Sequence, residues 1–354
     1  MADAADHTNE AVSAKSWSRI VAHYRTPNVT RSVTEILITA VPLAAIWLCA
    51  WLLTAYGMWW AVLLTVPAAG FLVRLFMIQH DCGHGALFHS RAANDWVGRI
   101  TGVFTLTPYS SWRQSHGSHH ANVGNLGRRG FGDIDTLTVD EYRALSRWRR
   151  LLYRLYRHPL VLFGVGPTFV FFLQQRLPMG SWAGTRPWVG VMGTNLGIGA
   201  VVATGIVLFG VAQFLLIYVP TLMLASTIGL WLFYIQHQFE FTSWEHQPDW
   251  TQPDAALHGS SFYDLPRVLR WFTANIGLHH VHHLNSRIPF YRTAEVLRDY
   301  PQLRDIGRMT LRDSLATLSL RLWDVQAKRL VSFREAARLM AARANEGHGA
   351  LTRA

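Results

Sequence analysis

Seventeen histidines against 22 acidic residues make imidazole an abundant metal-binding and proton-handling group in this chain. Eight of them fall in three short runs: HDCGH with His80 and His84, HGSHH with His116, His119 and His120, and HHVHH with His279, His282 and His283. On a helix, i, i+4 and i, i+3, i+4 spacings bring such side chains to one side. With about one histidine per twenty residues, HxxHH arises by chance at roughly one position in ten thousand, so two copies point to ligands. His237 in YIQHQFE ends an apolar run and is a ninth candidate. One zinc takes four ligands, or three and a water, so eight or nine imidazoles imply two metals. Four or five imidazoles each, with open positions, suit a redox-active ion accepting octahedral coordination; iron fits best, and ligand type alone also admits manganese. Two cysteines, Cys49 and Cys82, are too few for a disulfide scaffold or a thiolate cluster.

The remaining ring N–H groups need acceptors, and Asp81, Asp133, Asp135, Glu240 and Asn275 are the candidates near the runs. His89, His246, His258 and His280 fall outside the repeated spacing. His280 points about 100° away from His279 on a helix and is left out.

Elements that could hold these groups at one level are apolar and long. The 354 residues are 50% apolar and 16% charged, too few charges for a water-soluble globule, while 15 Trp, 18 Phe and 11 Tyr exclude disorder. Residues 34 to 54 and 58 to 78 are each long enough to cross the hydrocarbon, and Ala55 to Gly57 join them in a hairpin. Residues 189 to 237 form a second apolar block, expected to divide near Tyr218 to Pro220. The expected fold is an all-α integral membrane protein, with four transmembrane helices in two hairpins and a cytoplasmic helical cap carrying the histidine runs.

The net charge of +11 is distributed for topology, not for nucleic acid. Residues 34 to 90 contain one basic side chain, Arg74, and 189 to 237 contain none, whereas 1 to 33 hold four, 91 to 188 thirteen and 238 to 354 fifteen. By the positive-inside rule both termini and the central segment are cytoplasmic, with Arg74 snorkelling at the end of the second span. The apolar stretch 159 to 175 is expected to be interfacial or re-entrant, since a fifth crossing would put the histidines on opposite sides. Pro159 and Pro167 argue against one continuous helix there. Leu311, Leu315, Leu318 and Leu322 have the spacing of an amphipathic surface helix. The polar N-terminus has no signal-peptide pattern. The expected divisions are 1–33, a cytoplasmic N-terminal segment; 34–300, the membrane domain; and 301–354, a cytoplasmic helical region.

HDCGHGALFHS, TPYSSWRQSHGSHHANVGNLGRRGFGDIDTLT and NIGLHHVHHLNSRIPFYR resemble the membrane fatty acid desaturases, most of all bacterial and plastid acyl-lipid enzymes of the omega-6 (Δ12) type. The resemblance covers about residues 34 to 300. It implies two irons at the eight box histidines, with His237 matching an extra ligand of related enzymes. It implies O2 as co-substrate, a fatty acyl lipid as substrate and a cis double bond as product. It also implies a bacterial inner membrane, with the active site on the cytoplasmic side. An unactivated methylene gives acid/base or nucleophilic groups nothing to act on, which suits such chemistry. The substrate needs an apolar tunnel, for which Trp112, Trp244, Phe262 and Trp271 are candidate lining residues. No haem, iron–sulfur or dinucleotide motif is visible, so an external donor is expected, and the resemblance points to ferredoxin. The alternatives are a di-iron hydroxylase or ketolase of a lipid, carotenoid or alkane and, from other classes, a membrane metal transporter or zinc hydrolase. A transporter places its ligands nearer the bilayer midplane.

Overall fold

The computed structural model describes residues 13–130, 132–178 and 185–351. Four helices are long and apolar enough to cross a membrane: Val29–Ala55, Trp59–His84, Pro187–Phe209 and Val211–His237. Their outward faces carry Leu37, Val41, Leu63, Leu196 and Val207 exposed, the reverse of a soluble fold. The inner faces of the second and fourth spans pack through small and branched residues, among them Ala68, Ala69, Leu72, Ile78, Ile217, Leu222 and Ile235. Between helices in lipid this contact is held by dispersion and close approach, not by removal of apolar surface from water.

The first hairpin is as expected but longer. Asn28 caps the first span by accepting from Arg31 N at 2.9 Å. The second span enters through a 3-10 turn, Trp59–Leu64, and ends at Gly85, whose φ of +66° is readily adopted only by glycine. The second hairpin does not divide near Tyr218 to Pro220. It divides at Gly210, which has φ +83°, and Pro220 lies inside the fourth helix. The chain reverses where a residue can take positive φ, whereas a proline within a packed span is tolerated by local adjustment.

Arg74 does not snorkel. It is buried and paired with the buried Glu35 of the first span, donates also to Trp271 O, and stacks at 4.1 Å over the Trp271 ring. A charge with an available carboxylate at the same depth satisfies itself inside the bundle.

Residues 161–176 are not among the four helices long and apolar enough to cross a membrane, and they are more helical than expected. Two π-helical stretches, Val161–Val165 and Phe169–Leu173, flank Gly166–Thr168. Pro167 falls in the first turn of that short piece, where its missing N–H costs little. Thr227 Oγ1 ties the segment to the fourth span by donating to Phe163 O at 2.8 Å.

The expected amphipathic helix through Leu311 to Leu322 is also corrected. A capping box between Thr310 and Asp313 starts a helix that stops at Ala316. Leu322 then enters a strand, Leu322–Asp324, pairing antiparallel with Arg329–Val331, and is buried while Leu311 and Leu315 are exposed. A second short pair, Phe262–Asp264 parallel to Arg308–Thr310, is the other sheet among the described residues. The described residues are otherwise mostly helical, with a cap of short helices at the end where His84 and His237 terminate their spans.

Candidate metal centre

Helix ends and short helices bring nine imidazoles together. His80 and His84 occupy the last turns of the second span and His237 the last residue of the fourth. His116, His119 and His120 lie on the helix Tyr109–Asn122, and His279, His282 and His283 on His279–Leu284. They form two groups: His80, His84, His116, His120 and His282 in one, and His119, His237, His279 and His283 in the other, with the ligand atoms of each within 4.8 Å of one another.

The partition cuts across the sequence runs. In HxxHH the i and i+4 rings stay together, His116 with His120 and His279 with His283, while the i+3 ring joins the other group. At 100° per residue, i and i+4 differ by about 40° and the i+3 ring stands on the far side of i, so one short helix serves two centres. The expectation that all three rings share one direction is too coarse.

The ring chemistry fits cations. His119 Nε2 is 3.1 Å from His237 Nε2, His279 Nε2 is 3.0 Å from both His237 Nε2 and His283 Nε2, and His120 Nε2 is 3.1 Å from both His116 Nε2 and His282 Nε2. His119 Nδ1–H donates to Asp133, and His237 Nδ1–H donates to Gly259 O at 3.0 Å. With Nδ1 protonated, the facing Nε2 atoms of these two rings both carry lone pairs, which repel unless a cation lies between them. Adjacent ligands at right angles around an ion with 2.0–2.1 Å bonds stand about 3.0 Å apart, which matches. Burial, reinforced by neighbouring rings, holds His116, His120, His279, His282 and His283 well below the usual imidazole range, so they are neutral and able to ligate at pH 7. His84 Nε2 is buried with no hydrogen-bond partner among the described residues, as a ligand atom would be.

The candidate acceptors fare unequally. Asp81 faces His80 Nδ1 at 3.2 Å and is itself held by Phe290 N at 2.7 Å, while Asp133 holds His119. Asp135, Glu240 and Asn275 accept from no site imidazole. Asp135 lines the adjoining cavity, where burial and then Asp133 raise its pKa. Glu240 faces Arg329 at the surface. Asn275, at φ +57°, donates to Phe290 O at 3.0 Å and shapes the turn before the third run. Sequence reasoning missed Gly259, because a carbonyl acceptor leaves no mark on residue identity. His280 turns away to Leu303 O at 2.9 Å.

A cavity of about 650 Å³ opens beside both groups, bounded by His80, His116 and His279 at one end and by Leu72 and Leu222 at the other. Its wall follows the fourth span from Gln236 to Leu222, about 21 Å at 1.5 Å per residue. Trp112 lines it and stacks on His116 with centroids 4.5 Å apart. Trp244 borders only a smaller cleft by His237, Phe262 packs beside His280, and Trp271 lies under Arg74. A largely apolar cavity reaching two sets of imidazoles can hold an extended hydrocarbon beside bound metal.

Comparison with known proteins agrees with that geometry. The family profile described as fatty acid desaturase matches residues 57–311. A Bacillus subtilis (strain 168) protein named fatty acid desaturase is 42% identical over 320 residues, covering 90% of this chain and 91% of its own. A Nostoc sp. protein named sn-1 acyl-lipid omega-3 desaturase (ferredoxin) is 29% identical over 281 residues, 75% of this chain and 73% of its own. An Anabaena variabilis protein named sn-1 oleoyl-lipid 12-desaturase is 27% identical over 248 residues, 62% of this chain and 63% of its own.

Proposed function

The chain belongs to the fatty acid desaturase family, and from that premise we propose that it inserts a cis double bond into the acyl chains of membrane lipids at a di-iron centre using O2. The observation that carries this reading is the meeting of a five-histidine and a four-histidine group at one end of a deep apolar cavity. Overall, –CH2–CH2– with O2, two electrons and two protons becomes –CH=CH– and two waters. Two irons held by the nine histidines would supply the redox capacity to take hydrogen from unactivated carbon.

The chain's own residues do the rest. Asp133, the Gly259 carbonyl and Asp81 fix ring orientation and tautomer, keeping the ligand nitrogens turned inward. Trp112 and Phe76, edge to face at 5.4 Å, wall the slot beside His116 and His80 and hold a chain in place. Leu72, Leu222 and Ala225 exclude water from its length and receive the methyl-side portion. The transmembrane domain, 34–300, would sit in a bacterial cytoplasmic membrane with the cap on the cytoplasmic side, where the basic segments fall. Electrons would come from a separate small carrier; two relatives with ferredoxin in their names support that choice.

The test is expression in a host lacking polyunsaturated lipids, with gas chromatography of the lipids and iron analysis of the purified protein. New double bonds and two irons per chain are expected, with both reduced in His119→Ala. Hydroxylated or keto products would move the reading to an oxygen-inserting enzyme, and full activity without iron would overturn it.

A further inference from the structure

The helix Arg147–Tyr156 (RWRRLLYRLY) has two unlike faces. One is locked into the cap. Tyr153 is buried, its hydroxyl donating to Arg321 O at 2.7 Å and accepting from Leu137 N at 3.1 Å. Arg154 donates to Tyr142 Oη at 2.7 Å, and the fully buried Arg157 just beyond donates to Thr136 Oγ1 at 2.8 Å and Gln238 Oε1 at 2.9 Å. The opposite face leaves Trp148, Leu151, Leu152 and Leu155 exposed, all within an arc of about 100°. Arg147 and Arg149 flank the arc. Both are exposed, and neither side chain has a hydrogen-bond or ion-pair partner among the described residues.

Exposed apolar residues continue along the chain beyond this helix. Leu160, Val165, Phe169 and Leu173 prolong the exposed apolar strip along 160–173. The other side of that segment packs on the last turns of the fourth span, with Phe163 5.3 Å from the rings of both Trp231 and Tyr234. The helix therefore sits where spans and cap meet. Its final residue, Tyr156, and the following Val161 and Leu162 line the cavity.

We propose that Arg147–Tyr156 lies in the headgroup layer and seats anionic phospholipid beside the cavity. Its apolar arc reaches the acyl boundary while Arg147 and Arg149 meet phosphate and net-negative head groups. A helix of this pattern, apolar on one side with arginine at the edges, binds an anionic leaflet through both terms together. An acidic protein docking from water would satisfy the two arginines but leave four large apolar side chains wet, so the lipid leaflet is the occupant the face fits. The inference concerns lipid binding alone and stands whether or not the chemistry is desaturation.

The full chain in nanodiscs tests it. In a Cys49→Ser background, Leu152→Cys carries an environment-sensitive fluorophore, with Leu155→Cys as a second site should the first disturb folding. Brominated phosphatidylcholine and brominated phosphatidylglycerol serve as quenchers. Quenching by both is expected, with phosphatidylglycerol favoured by about fivefold for each arginine at low ionic strength, and that preference fading as salt rises. The Arg147→Gln, Arg149→Gln pair should remove the preference while keeping quenching by phosphatidylcholine. Equal quenching by the two lipids in the parent protein would overturn the anionic seat. Probes at both sites that neither lipid quenches, but that an acidic redox protein shields from iodide, would assign the face to a protein partner instead.

Discussion

Replacing Asp133 with asparagine should weaken one metal site and spare the other. The His119 Nδ1–H donates to Asp133, and the His119 Nε2 it orients belongs to the four-histidine group with His237, His279 and His283. None of the five rings of the other group hydrogen-bonds to Asp133; their one carboxylate contact is Asp81 on His80. Loss of a carboxylate behind a ligating imidazole lowers metal affinity by about 10- to 100-fold, or roughly 1.4–2.8 kcal/mol. The assay is competition of the iron-loaded enzyme with a graded ferrous chelator, following iron retained per chain. Asp133→Asn should release one ion at about 10- to 100-fold lower chelator strength and hold the second at the parent value. Asp135→Asn, whose carboxylate bonds no site imidazole, should leave both unchanged. Equal weakening of both ions, or of neither, would refute the assignment of His119 to a group separate from His116 and His120.

Glu35→Gln strands the buried Arg74 and should cost about 3–5 kcal/mol, read as a lower Tm in detergent; a parental Tm would show that the pair is idle. Ala225→Leu projects into the far part of the cavity and should shift the accepted acyl chains toward shorter ones at unchanged iron content, while an unaltered chain-length profile would place the hydrocarbon elsewhere. The cap imidazoles give a pH dependence. Burial holds His280 down from 6.5 to about 4, and His116, His120, His279, His282 and His283 lie well below 6.5. In that interval the unfolded chain binds more protons than the folded one, so stability is present above about pH 6.5 and is lost as pH falls toward 4. Thermal unfolding of chelator-treated protein should show Tm falling across this window, and a Tm rising on acidification would contradict the buried neutral state.

The spans were legible because helices able to cross a membrane announce themselves by length and hydropathy, and the clustering of the histidines because two HxxHH runs are improbable by chance. The assignment of rings to two centres was not legible. His119 and His120 are neighbours in the chain yet belong to different groups, since consecutive helical side chains diverge by about 100°. The break at Gly210 was hidden by Pro220, a stronger punctuation mark in sequence than in a packed span. Arg74 was misplaced because its partner, Glu35, lies on another helix, 39 residues away. The carbonyl of Gly259 could not be anticipated from any side chain.

The order in which the ligands leave the ribosome has a consequence for assembly. Neither group is whole until the HHVHH helix has been made, since one needs His282 and the other His279 and His283. The early hairpin can insert with His80 and His84 already in place, but no truncated chain ending before residue 279 carries either histidine group complete. Completion of either histidine group is therefore a late event in synthesis, and a stalled or clipped chain ending before residue 279 holds neither group whole.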